Sequence, residues 1–207
     1  MCHTSAKINE IFMRNIFVFS AAFLIVACTK NPVIPKPEPP STAHPQMLYT
    51  DLKNAEVYYN QPQFVDVDHD GLKDYSISVL LVGDPILQRD RMQFYAHSGI
   101  KRNLLNNDID ESPMLNKSDS ISKYHPGFKW WEISSIVLAE KITDYNGSYW
   151  QGLWKNADHK YLPIQIEKDR KLYHGWIEIS FKTDEQKLIL HRSAISMEED
   201  KTVLAGI

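Results

Sequence analysis

Cysteine is almost absent from this chain, with two in 207 residues, Cys2 and Cys28, both near the N-terminus. A disulfide-stapled mini-protein, whose framework needs several paired thiols, is therefore excluded. Glycine is scarce as well, eight residues with none before Gly71 and no period, which excludes a collagen-like repeat. There is no excess of positive charge: 23 Lys and Arg stand against 26 Asp and Glu, a formal net charge of −3. Nucleic-acid binding needs a concentrated basic face, so it is not expected. Long apolar runs are missing too, because the uncharged stretch at residues 16–27 (IFVFSAAFLIVA) is too short for a membrane span, which needs about 20 residues. The chain has no G-x-S-x-G, H-E-x-x-H, C-x-x-C, P-loop or G-x-G-x-x-G, and no catalytic residue is nominated. An envelope hydrolase is accordingly the third-ranked reading. What remains, at 43% hydrophobic and 24% charged, is the composition of an ordinary folded chain.

Three unlike segments lie inside that average. Residues 1–28 read as an export signal in which Arg14 precedes the apolar run and Cys28 ends it, with Met13-Arg14 as the natural start. Residues 29–46 hold six of the eleven prolines and no glycine, a composition that favours extended polyproline II and a semi-rigid spacer. From Met47 to Ile207 the composition changes, and all five Trp, all ten Tyr and all eight Gly lie there. Of the acidic side chains only Glu10 and Glu38 precede Met47, and of the basic ones only Lys7, Arg14, Lys30 and Lys36, so this last part carries a formal −5. About 160 residues is a normal single-domain length.

Ile25-Val26-Ala27-Cys28 resembles the lipobox of bacterial lipoproteins, in which aliphatic residues and a small residue precede the cysteine that receives a diacylglycerol. The resemblance implies lipidation of Cys28, loss of the leader with Cys2, and a domain anchored in the bacterial cell envelope, the outer membrane being the expected site. Ile207 closes the chain without a hydrophobic anchor, which fits attachment at Cys28. The other reading of the segment is an ordinary signal peptide cut near Ala27.

Within 47–207, β-branched and aromatic runs of strand length recur at 55–60, 75–82, 92–97, 133–142, 161–167, 172–182 and 188–195, separated by Gly, Asn, Asp and Pro clusters. Only 133–142 is also compatible with a helix. Along 172–182, alternation sets Tyr173, Gly175, Ile177, Ile179 and Phe181 on one face and His174, Trp176, Glu178, Ser180 and Lys182 on the other, the pattern of a half-buried strand. Lys168-Asp169-Arg170-Lys171 joins it to its predecessor as a polar hairpin turn. The expected fold is all-β, an antiparallel sandwich or a partly open barrel.

The sharpest motif is Asp66-Val67-Asp68-His69-Asp70-Gly71-Leu72-Lys73-Asp74. Carboxylates at positions 1, 3, 5 and 9, Gly at 6 for a sharp turn and a carbonyl at 7 can surround a hard cation. Position 12 is Ile77, so the closing Glu of an EF-hand is missing. Four carboxylates in nine residues also repel one another unless a cation compensates them. The other reading is an acidic turn whose Asp side chains bond their own backbone amides. The D-x-D-x-D-G-x-x-D pattern is similar to the calcium loop of integrin-type FG-GAP repeats. That likeness implies a structural Ca²⁺ held by Asp66, Asp68, Asp70 and Asp74 through side chains and by Leu72 through its carbonyl. Downstream, Tyr161 to Ile166 followed by Tyr173-His174-Gly175-Trp176 resembles a hairpin of exported bacterial proteins of unknown function, including those with a PEP-CTERM tail, and implies no particular activity.

Tryptophan supplies the remaining candidates. Trp130, Trp131, Trp150 and Trp154 could stack on sugar rings, which would make the protein a carbohydrate-binding lipoprotein; the plainer reading is that they fill a core. Alternation in FKWWEIS sends Trp130 and Trp131 to opposite faces. The polar stretch 106–124 is long enough for a binding loop or a simple insertion. The preferred expectation is a lipid-anchored envelope protein with a calcium-binding β domain and a non-catalytic accessory or interaction role, its partner an envelope protein or a glycan.

Overall fold

The computed structural model describes residues 44–207; the leader, Cys28 and the proline-rich stretch up to residue 43 lie outside the described residues. The strands in chain order are β1 (Met47–Val57), β2 (Gln63–Val65), β3 (Tyr75–Asp84), β4 (Arg89–Ser98), β5 (Arg102–Asn106), β6 (Ser120–Ile121) and β7 (Lys129–Glu132). They continue with β8 (Ser135–Asp144), β9 (Gly147–Gln151), β10 (Lys160–Lys168), β11 (Lys171–Lys182), β12 (Lys187–Ser196) and β13 (Val203–Leu204). A single 3₁₀ turn, Leu153–Asn156, is the only helical element among the described residues. Every pairing is antiparallel.

A six-stranded sheet runs β1-β12-β11-β10-β5-β7 and a five-stranded sheet runs β2-β3-β4-β8-β9, with β13-β6 as a separate pair. The larger sheets share one core: Ile77, Phe94 and Leu138 from the five-stranded sheet meet Leu104, Ile164, Ile179 and Leu190 from the other. This is the antiparallel sandwich of the two expected architectures. The region 133–142 is a strand, β8, with Ile136 and Leu138 in the core.

The β10–β11 hairpin pairs from Lys160↔Ile179 to Lys168↔Lys171. Its two-residue turn, Asp169 (φ 51°) and Arg170 (φ 63°), adopts the left-handed pair that matches strand twist. The first strand begins earlier than its periodicity indicates, at Met47 rather than Ala55. An irregularity between Asp51 and Ala55, with Lys53 and Asn54 at positive φ, breaks the alternation there.

Strand β11 corrects the expectation of half burial. His174, Trp176, Glu178 and Ser180 are as buried as their neighbours on the core side. The reason is a second apolar cluster on the outer face, where Ile121, Tyr161, Trp176, Ala194, Val203 and Ala205 pack together. The polar stretch 106–124 is thus tied down along the outer face rather than loosely inserted. Its Leu115 bridges Tyr161, its Ile121 pairs with Val203, and Ser118 N–H donates to the Ala205 carbonyl. Polar composition hid this because backbone hydrogen bonds, available to any residue, make much of the attachment.

Candidate metal centre

The acidic loop joins β2 to β3 and folds back on itself through its own carboxylates. Asp66 Oδ2 accepts the Gly71 amide (3.0 Å), Asp68 Oδ1 that of Asp70 (3.2 Å), Asp70 Oδ1 that of Leu72 (2.8 Å) and Asp74 Oδ2 that of Val67 (2.7 Å). His69 (φ 57°) and Gly71 (φ 86°) supply the left-handed residues of the turn. The acidic turn weighed against a calcium loop is therefore present, and it leaves one oxygen of each carboxylate for other work. Ligand atoms of Asp66, Asp68 and Asp74 lie within 4.8 Å of one another, a spacing that can hold a metal ion. Asp66 Oδ1 is buried with no hydrogen-bond partner, an unfavourable state for a carboxylate oxygen.

Asp70 is not part of that close set. Its second oxygen turns to Arg102, 3.4 Å away. Leu72 gives its amide to Asp70 and its side chain, 65% exposed, to solvent.

Two cations that motif reading did not find stand beside the loop. Arg102, at the start of β5, donates through Nε to Asp74 Oδ1 and lies 3.7 Å from Asp68. Lys168, at the end of β10, sits 2.7 Å from Asp68 Oδ2, a charge contact without directed hydrogen-bond geometry. Four carboxylates against these two cations leave two negative charges. Asp74 has a fully buried side chain, and burial pushes its pKa above the ordinary carboxylate value despite the Val67 amide and Arg102. An additional cation would oppose that penalty by favouring the charged form.

No protein-family model, curated protein or solved structure matches this chain.

The four tryptophans are not brought together. Trp154 is 1% exposed and donates its indole N–H to the Ser112 carbonyl, and Trp150 packs edge-on against Phe181 (5.1 Å). Trp154 offers no face to a sugar, whereas Trp150 is partly exposed. Trp130 and Trp131 do fall on opposite faces of β7. Trp131 is 48% exposed, whereas Trp130 is half-buried against the outer cluster and bonds the Ser122 carbonyl.

One further constellation emerged only in three dimensions. Asn54 Oδ1 accepts from His191 Nδ1 (2.7 Å), which leaves Nε2 to accept the Ser180 hydroxyl (2.8 Å). The order resembles a nucleophilic relay, but Ser180 is 2% exposed and its oxygen also takes the His159 amide (2.9 Å). The neighbouring Glu178 is held by Arg192 and by His159, 2.7 Å away. This network ties β11 to β12 and to the chain before β10, a structural assignment for Ser180.

Proposed function

We propose that this is a lipid-anchored cell-envelope protein, attached through Cys28, whose β domain binds calcium at Asp66, Asp68 and Asp74 and acts as a non-catalytic accessory or interaction module. The observation that carries the metal assignment is the buried, unpartnered Asp66 Oδ1 inside a carboxylate cluster with two charges uncompensated. Calcium suits this donor set because it accepts carboxylate and carbonyl oxygens in irregular geometry, with Asp70 and the Leu72 carbonyl completing the shell after a small adjustment. Lys168 is 41% exposed and can withdraw from Asp68 into water. The ion would be structural, joining the β2–β3 connection to itself, since protein oxygens would fill its shell.

Calcium at about thirtyfold over its dissociation constant should stabilise the domain by about 2 kcal/mol, near 5 °C in melting temperature. Differential scanning calorimetry with calcium, magnesium or chelator measures this directly. Asp66→Asn with Asp68→Asn keeps the loop's shape and should erase the calcium increment. A wild-type melting temperature indifferent to calcium overturns the assignment.

A second reading, glycan binding, is favoured by one observation. Trp130, Tyr124, His125 and Phe128 line an open cleft of about 400 Å³ together with Lys123 and Asp108. Aromatic faces beside charged and polar groups suit a sugar. Titrating soluble glycans against tryptophan fluorescence should then give a response that Tyr124→Ala removes, and a flat response across a broad panel overturns it.

A further inference from the structure

The acidic loop shares its end of the sandwich with two other turns, and all three present apolar side chains to solvent. Leu72 is 65% exposed, Ile100 in the β4–β5 turn 72%, and Ile133 between β7 and β8 68%. Backbone hydrogen bonds hold the turns together: Ile133 N–H donates to Gly99 and Glu167 N–H to Lys101. Arg102 fastens the acidic loop beside them.

Ile133 has φ 51°, a left-handed conformation that a β-branched residue rarely adopts. Strain of that kind persists only where the surroundings impose it. Here it holds an isoleucine out in water, where Gly or Asn would be the locally favoured residue. Exposed Lys73 and Lys101 follow Leu72 and Ile100 directly in sequence and Arg170 is exposed in the β10–β11 turn, with Glu132 and Asp169 also exposed beside Ile133 and Arg170.

The polypeptide also reaches the domain at this end. The Gln46 carbonyl accepts the Met197 amide just before β1, and Leu48, Asp68, Lys168 and Met197 line one hollow. The described chain therefore begins beside the acidic loop.

We propose that this end of the domain docks on the surface of a lipid bilayer, with Leu72, Ile100 and Ile133 entering the headgroup boundary and Lys73, Lys101 and Arg170 meeting headgroup phosphates. Three separate protruding side chains, each at a turn, suit a bilayer interface, which accepts apolar protrusions with lysines beside them. The proposal deepens the lipid-anchor reading, which would keep a bilayer close to this end.

All five tryptophans lie at residue 130 or later, so their fluorescence reports on the domain alone, and Trp131 is two residues from Ile133. The full gene product, expressed in a bacterium so that its leader can be processed and Cys28 acylated, is purified and reconstituted with phosphatidylglycerol/phosphatidylethanolamine vesicles carrying bromine on the acyl chains. Co-sedimentation reads attachment, and tryptophan quenching reads docking. The expected result is quenching that is lost in Ile100→Asp/Ile133→Asp, while sedimentation persists through the anchor. Ile86→Asp, in the β3–β4 turn at the opposite end of the sheet and 90% exposed in the parent residue, should keep both signals. Sedimentation without quenching overturns docking and leaves the anchor standing. Loss of sedimentation together with quenching in the double variant supports docking and overturns the anchor. A chain that never sediments overturns both.

Discussion

Asp74→Ala is expected to lower unfolding free energy by about 3–5 kcal/mol, the range for removing one partner of a buried ion pair. The Asp74 side chain is fully buried, and Arg102, 12% exposed, would keep only the longer contacts to Asp70 (3.4 Å) and Asp68 (3.7 Å). The Val67 amide would lose its acceptor at the same time. Urea denaturation gives the shift directly, and the m-value should be unchanged if the native and unfolded states keep their surface areas. Arg102→Met alone should also destabilise, because it leaves the buried Asp74 beside Asp66 and Asp68 without its ion-pair partner. The double variant should lose less than the two single losses combined, since neither charge is then stranded. If Asp74→Ala shifts stability by less than about 1 kcal/mol, the pair is a bystander and the loop is held by its backbone bonds alone.

Gly175→Ala should lower stability by about 3 kcal/mol or more, at the upper end for forcing extra volume into a packed interior. A Cβ at this position would stand 2.2 Å from the Ala194 carbonyl oxygen, 2.9 Å from Ile195 Cδ1 and 3.0 Å from Ile195 Cα. Two of these atoms are backbone of the strand that pairs with β11, so no side-chain rotation relieves the clash. The strand would have to separate locally, exposing Trp176 on one face and Ile177 on the other. Gly99→Ala is the control, for nothing lies within 4 Å of its added methyl, and it should stay within about 1 kcal/mol of the parent. A Gly175→Ala chain that melts with the parent would mean that β11 and β12 are less tightly apposed than their register indicates.

These two positions illustrate what the amino-acid sequence discloses and what it withholds. Alternation placed Ile177, Ile179 and Phe181 on one face correctly, because period two is a local property of the chain. It could not reveal that Trp176 on the other face is covered as well. That cover comes from residues 115–121 and 203–205, distant in sequence and mostly polar in the first segment. The acidic loop was legible for the same local reason, with its carboxylates at fixed offsets. Arg102 and Lys168 were not, since they arrive from β5 and β10 by pairing. Nothing in their own neighbourhoods marks them apart from other basic residues on a strand end. Trp154 shows the converse case, where residue type suggests a surface role and full burial with its indole N–H on the Ser112 carbonyl decides otherwise.

The pairing of β1 with β12 has a temporal side. Met47 lies opposite Ser196, and Val57 opposite Leu188, so the first strand of the domain finds its hydrogen-bonding neighbour only after some 130 further residues exist. Until then the nascent chain carries a lone strand edge and an uncovered Trp176, both invitations to mispairing. The sandwich therefore closes as a late, long-range event rather than strand by strand, and its folding should be slow for its size. A chain built this way has no closed core until the residues near 190 are present to pair with its first strand.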